Sequence, residues 1–252
     1  MSKKQTLKFT PQVIYYPLLF LFLIVFVFWI ETRFDLNFNY LGILPREVIG
    51  LRGILFGPFI HSDVNHLFNN SIPLFVLGTA LFYFYPHIRW KVMLWGLILT
   101  GLLTWIIGRP ALHIGASGVI YMLTAFLLFK GIFSKQYQLT ALSFAVIFLY
   151  GSFLWYVFPI DPKISWEGHL SGLLVGFLFS ILFRTDHLEK IKYAWEHEDY
   201  DPEKDAFLQQ FDDDGNFIEK PIEKTEEIKE SPSVRIRYII KKDPEKGSKD
   251  DL

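Results

Sequence analysis

The strongest constraint on this chain is a set of long stretches with no charged side chain. Residues 9–30, 67–88, 92–108, 111–129, 136–160 and 168–183 contain no Asp, Glu, Lys or Arg. A helix crosses a bilayer with roughly 20 apolar residues. The composition agrees: 51% of residues are hydrophobic and 18% aromatic, with 26 Phe. Mean hydropathy is +0.27, too apolar for an ordinary soluble domain. The runs predict an all-α membrane protein with six transmembrane helices. The last run is short for a full crossing, so its ends need shelter from neighbouring helices or a thin bilayer. A cleaved signal peptide is the other reading of the first run, since Lys3, Lys4 and Lys8 precede it. No small-x-small cleavage site follows, so the run is expected to stay attached.

The formal net charge of -1 hides two opposite halves. Residues 1–183 hold 12 Lys and Arg against 6 Asp and Glu, whereas 184–252 hold 13 against 20. The division predicted is a short N-terminus over 1–12, a six-span domain over 13–185 and a charged, soluble, acidic C-terminal tail over 186–252. Scattered basic residues and an acidic tail give no nucleic-acid footprint. With no cysteine, disulfides, thiolate catalysis and Cys-based metal sites are excluded. Placing Lys3, Lys4 and Lys8 in the cytoplasm also places Arg89, Lys91, Lys130, Lys135 and Arg184 there. The positive-inside bias therefore favours N-in and C-in.

The first outer loop, about 31–65, is long for a structureless connection. It carries Pro45, Gly50, Gly53, Gly57 and Pro58 beside apolar pieces, and is expected in the membrane interface. In the tail, residues 187–195 predict an amphipathic helix and the alternating stretch 233–238 a strand. Asp212, Asp213, Asp214 and Asn216 lack the ligand spacing of an EF-hand loop, so they read as a solvated turn.

Polar side chains inside apolar spans are expensive and mark functional candidates. His66 and Asn70 begin the second span, four residues apart and so on one helix face. Ser117 begins the fourth, flanked by Gly115 and Gly118, with Tyr121 one turn further. His169 begins the sixth. With N-in topology these three spans start at the outer face, which puts His66, Asn70, Ser117 and His169 at one depth. Gly168, Gly172 and Gly176 repeat every four residues, a bare ridge that permits close helix packing. If that ridge docks on the fourth span, His169 reaches Ser117, and an imidazole beside a serine suffices for acyl transfer. Glu167 lies two residues from His169 and points elsewhere on a helix, so a dyad is expected. His61 and Asn69 read as loop and interface residues.

At this point the sequence resembles the rhomboid family of intramembrane serine proteases, over roughly residues 10–185. The resemblance is carried by His61, His66 and Asn70, by Gly115-Ala116-Ser117-Gly118, and by His169 among Gly168, Gly172 and Gly176. It implies that Ser117 is the nucleophile and His169 the general base and acid. His66 and Asn70 would donate to the oxyanion together with the Ser117 backbone N–H, and Tyr121 would pack on the catalytic imidazole. The outer loop ahead of His61 matches the family's membrane-embedded first loop, and residues 158–167 match the loop that caps the site. The family's Trp-Arg pair appears only as Leu51-Arg52, and the acidic tail has no counterpart.

The function expected is therefore cleavage of single-span membrane protein substrates near the outer face. A transmembrane helix must unwind to be cut, which favours substrates with helix-weakening Gly or Pro near the cut. No metal or cofactor is implied. The partners expected are the substrate helices and the lipid bilayer, with the tail open to a cytosolic partner. The membrane expected is a bacterial cytoplasmic one. A catalytically inactive rhomboid-like binder of membrane helices is the alternative. A proton-relaying transporter is a third reading, weakened by the absence of Asp and Glu inside the spans.

Overall fold

Backbone amides in lipid have no water to bond, so an apolar run is committed to helix. The computed structural model describes residues 9–149, 155–183, 195 and 198–218, and each of the six runs contributes a helix to it. These are α1 (Gln12–Phe34), α3 (Val64–Phe84), α4 (Arg89–Ile107), α5 (Ser117–Phe133), α6 (Tyr137–Leu149) and α7 (Trp166–Leu182). A single turn, α2 (Gly53–Phe56), lies in the first loop. At 23, 21 and 19 residues, α1, α3 and α4 are long and apolar enough to cross a membrane. α5 and α7 have 17 residues and α6 has 13. A 17-residue helix reaches about 25 Å, short of a ~30 Å hydrocarbon core, so among the described residues length alone makes spans of three helices.

Two runs are helical over less than their full length. The fourth is uncharged from residue 111, yet α5 starts at Ser117. Residues before it are held extended: His113 exchanges both backbone hydrogen bonds with Ile43, each at 2.9 Å, and Gly115 N–H donates to the Gly57 carbonyl at 2.9 Å. In the fifth run α6 is described over Tyr137–Leu149, and residues 155–157 form a 3-10 turn.

α5 is the central helix, with every residue from 119 to 127 buried. α7 packs on it through the glycine ridge. A Cβ on Gly172 would run into the Gly118 carbonyl oxygen, and one on Gly176 into the Met122 carbonyl oxygen. At the far end, buried Lys130 of α5 donates to the carbonyls of Ser180 and Phe183, satisfying the last turn of α7. α1 is peripheral and buries only Val13, Pro17 and Ile24.

The first loop is a chain of short turns fastened to α4. Arg46 adopts a left-handed φ of 63°, and its guanidinium donates to the carbonyls of Ile106 and Gly108 at 3.3 and 2.7 Å. Trp105 Nε1 donates to the Glu47 carbonyl at 2.9 Å. Arg52 donates to the Tyr40 carbonyl at 2.7 Å and lies 5.3 Å from that ring's centroid. Arg52, next to Leu51, is thus seated on a tyrosine.

The unit from Ile191 to Leu252 is separate. Its described part is built of turns, and Asp212 accepts the backbone N–H of Asp214 and Asn216 at 3.1 and 2.7 Å. That is the solvated turn expected of the acidic cluster. The expected helix near 187–195, except its last residue, and the stretch 233–238 lie outside the described residues.

Gly172→Leu should force α5 and α7 apart and cost about 1–3 kcal/mol or more. A melting curve in detergent checks this, and a variant melting within a degree of the wild type would contradict the docking described.

Candidate active site

The close approach of α5 and α7 brings their first turns together. Ser117, the first residue of α5, has its Oγ 2.9 Å from Nε2 of His169. The other ring nitrogen, Nδ1, lies 2.9 Å from the backbone carbonyl of Tyr156. A carbonyl only accepts, so Nδ1 carries the hydrogen and Nε2 turns its lone pair to the serine. That is the tautomer a general base requires. The Tyr121 ring stacks on the imidazole with centroids 4.2 Å apart and planes 11° from parallel. Packing and one hydrogen bond thus fix both the plane and the proton of the histidine.

The carboxylate nearest in sequence is otherwise engaged. Glu167 is 1% exposed and accepts from the backbone N–H and Nη1 of Arg109 at 3.0 and 2.9 Å. His169 is oriented instead by the carbonyl of Tyr156, which sequence reasoning missed. A main-chain acceptor has no side-chain signature to find.

His66 and Asn70 come from the first turns of α3, which Asp63 caps by accepting the His66 backbone N–H at 2.9 Å. Both meet the chain two residues before Ser117. A Cβ at Gly115 would lie 2.6 Å from His66 Nε2 and 3.5 Å from Asn70 Nδ2. Gly115 also has a φ of 101°, so a side chain is excluded by conformation as well as by space. Asn70 is 5% exposed, and its Nδ2 has no hydrogen-bond partner among the described residues. A buried donor without a partner is costly, and this one faces the site. A Cβ at Gly118 would meet the Thr100 side chain at 3.1 Å and the Gly168 carbonyl oxygen at 3.2 Å.

His61 lies in the first loop, as expected. It is buried at 3% exposure, its ring 5.0 Å from that of His66. Burial, with the charge of His66 beside it, pushes its pKa down to about 3. Asn69 is exposed, as expected.

Comparison with known proteins bears on the same residues. A family model described as a Rhomboid domain matches residues 50–186, the stretch holding every site residue named above. The chain belongs to the rhomboid family. It is similar to an uncharacterized protein of Mycobacterium bovis, 37% identical over 162 residues, covering 60% of this chain and 65% of that one. An uncharacterized protein of Mycobacterium leprae is 37% identical over 162 residues, covering 60% and 62%. The Bacillus subtilis protein provisionally named rhomboid protease YdcA is 29% identical over 133 residues, covering 49% and 62%. The chain thus spans just under two thirds of the length of these relatives. Family and apolar helices together make it a multi-pass integral membrane protein.

In this rhomboid the rim of the site is clamped by residues that sequence reasoning did not single out. Arg109 Nη2 donates to the carbonyls of Pro162 and Ile164, each at 2.8 Å. His113 Nε2 lies 3.1 Å from the Arg109 carbonyl, so it carries the ring hydrogen. Nδ1 then accepts the Ser165 hydroxyl at 2.6 Å. Ser165 Oγ in turn caps α7 by accepting the Gly168 N–H at 3.3 Å. The only signal in the sequence was that Arg109 and Glu167 are lone charges at the ends of apolar runs.

Burial, the largest influence, holds the His113 imidazole below its ordinary range. In the unfolded chain it titrates near ~6.5. Above that pH both states are neutral and the clamp contributes fully. As pH falls below it the unfolded chain takes up the proton first, and stability is lost down to the folded value. Melting temperature should therefore fall between pH 7 and pH 5 more steeply for the wild type than for His113→Gln. Equal slopes would contradict this.

Proposed function

We propose that this rhomboid is an intramembrane serine endopeptidase working through a Ser117–His169 dyad. The observation that carries the reading is the 2.9 Å contact from His169 Nε2 to Ser117 Oγ, with Nδ1 committed to Tyr156. His169 takes the serine proton as Oγ attacks the scissile carbonyl, then protonates the departing amine. His66, Asn70 and the Ser117 backbone N–H receive the oxyanion. That N–H is one of the unpaired donors at a helix start, where the helix dipole favours negative charge. Water then repeats the sequence on the acyl-enzyme. A cavity of about 40 Å³ borders Ser117, lined also by Thr100, Thr104, His113 and Ser165. It has room for at least one water with polar neighbours.

The substrates are single-span membrane proteins whose helix is weakened by Gly or Pro near the cut, since a regular helix hides its amides. Six spans, with both termini in the cytoplasm of a bacterial cell, put the site near the outer face.

Labelling of detergent-solubilised protein by a fluorophosphonate probe tests this reading. The wild type should label, and Ser117→Ala and His169→Ala should not. Asn70→Ala should label about 10²–10³-fold more slowly, the usual cost of one oxyanion donor. Persistent labelling of Ser117→Ala would mean another nucleophile. A folded wild type that no serine-directed probe labels would overturn the protease reading in favour of the membrane-helix binder.

A further inference from the structure

The hydroxyl of Ser62 stands between Asp63 and His66. Its Oγ lies 2.7 Å from Asp63 Oδ2 and 3.2 Å from His66 Nδ1. Asp63 Oδ1 accepts the His66 backbone N–H at 2.9 Å. That bond, and then the one from Ser62, hold the Asp63 carboxyl below the usual range. An ionised carboxylate only accepts, and a hydroxyl has a single hydrogen to give. The Ser62 hydrogen is therefore committed to Asp63, and Ser62 meets His66 as an acceptor. It follows that Nδ1 of His66 carries the ring hydrogen. The nitrogen left over, Nε2, is the one beside Gly115. In a neutral ring it has a lone pair and nothing to donate to an oxyanion.

We propose that Asp63 and Ser62 form a positioning relay that keeps the His66 hydrogen on Nδ1, so that the oxyanion site is complete only when Nε2 takes up a proton from solvent and the ring becomes an imidazolium. The catalytic meaning of this inference rests on the serine protease reading; the location of the hydrogen does not. In the imidazolium form Nε2–H is a charge-assisted donor, which is stronger than a neutral one. Asp63 supplies the compensating negative charge through Ser62. Among the described residues, the other titratable groups bearing on His66 are His61, with its ring 5.0 Å away, and His169 from α7. Neither is a carboxylate, so Asp63 is the group that balances the charge.

Asp63→Asn separates the relay from the helix cap. The Asn oxygen still accepts the His66 backbone N–H, but its NH₂ now donates to Ser62 Oγ. The Ser62 hydrogen is released toward His66 Nδ1, and a neutral ring then carries its hydrogen on Nε2. Two measurements on the full chain in detergent follow. The ¹⁵N spectrum of histidine-labelled protein, with His66 assigned by its loss in His66→Gln, should show Nδ1–H in the wild type at pH 8 and Nε2–H in Asp63→Asn. The same tautomer in both proteins, or Nε2–H in the wild type, would overturn the relay. The rate of fluorophosphonate labelling should fall about tenfold per pH unit on the alkaline side in the wild type, as for a single required proton. That limb should vanish in Asp63→Asn. A limb shared by both proteins, or a wild-type rate flat to pH 10, would overturn the imidazolium requirement. Absence of labelling at every pH would count against the Ser117 reading alone, with the spectra still deciding the relay.

Discussion

Everything at the candidate site depends on how near α7 comes to α5. Helices in lipid gain no hydrophobic free energy from meeting each other, so they associate through van der Waals contact and polar bonds at short range. Gly172 and Gly176 let the α7 backbone rest on the carbonyls of Gly118 and Met122. That contact brings the His169 and Ser117 side chains to 2.9 Å. The two helices are also tied at both ends. Lys130 bonds the last carbonyls of α7, and Ser165, held by His113, caps its first turn. Neither tie is apolar, and both satisfy helix-terminal groups that lipid would leave bare.

The site itself is oriented largely by main-chain atoms. The Tyr156 carbonyl selects the His169 tautomer, the Gly57 carbonyl holds Gly115, and the Ile43–His113 pairing fixes the residues before α5. Peptide groups suit this role in a water-poor setting, because they carry no charge that burial would penalise. The charges that are present stand at the rim. Arg109 and Glu167 satisfy each other and the loop carbonyls, and Asp63 sits at the exposed mouth of α3.

Much of this was legible in the sequence because a polar side chain in an apolar run stands out. Ser117, His169, His66 and Asn70 could be picked on that ground, and the glycine period marked which face of α7 would dock. The extended stretch ahead of α5 could not be read. Hydropathy is continuous from residue 111, and only the pairing of His113 with Ile43, about 70 residues earlier in the chain, keeps that stretch extended. Tyr156 was invisible as an orienter for a related reason, since what matters is where its carbonyl points. His61 was legible as a loop residue but not as a buried one, since no spacing shows that the loop itself packs down over it. The fifth run is uncharged to residue 160, yet residues 158–160 are bends, because an uncharged run shows where helix is permitted rather than where it forms.

The same bonds tie base orientation to the position of the loop before α7. Tyr156 lies upstream of that loop, and its downstream end is fixed by Arg109 to the carbonyls of Pro162 and Ile164. Residues 158–161 therefore run between two anchors, one on the imidazole and one on a buried ion pair. A displacement that carried Tyr156 away would leave Nδ1 of His169 without its acceptor and free the ring to exchange its hydrogen between nitrogens. One confined to residues 158–161 would leave the dyad intact. On the proposed protease reading, entry of a substrate helix past this loop is compatible with catalysis only in the second case. The stacking of Tyr121 adds to that separation, because it holds the imidazole plane from α5 whatever the loop does.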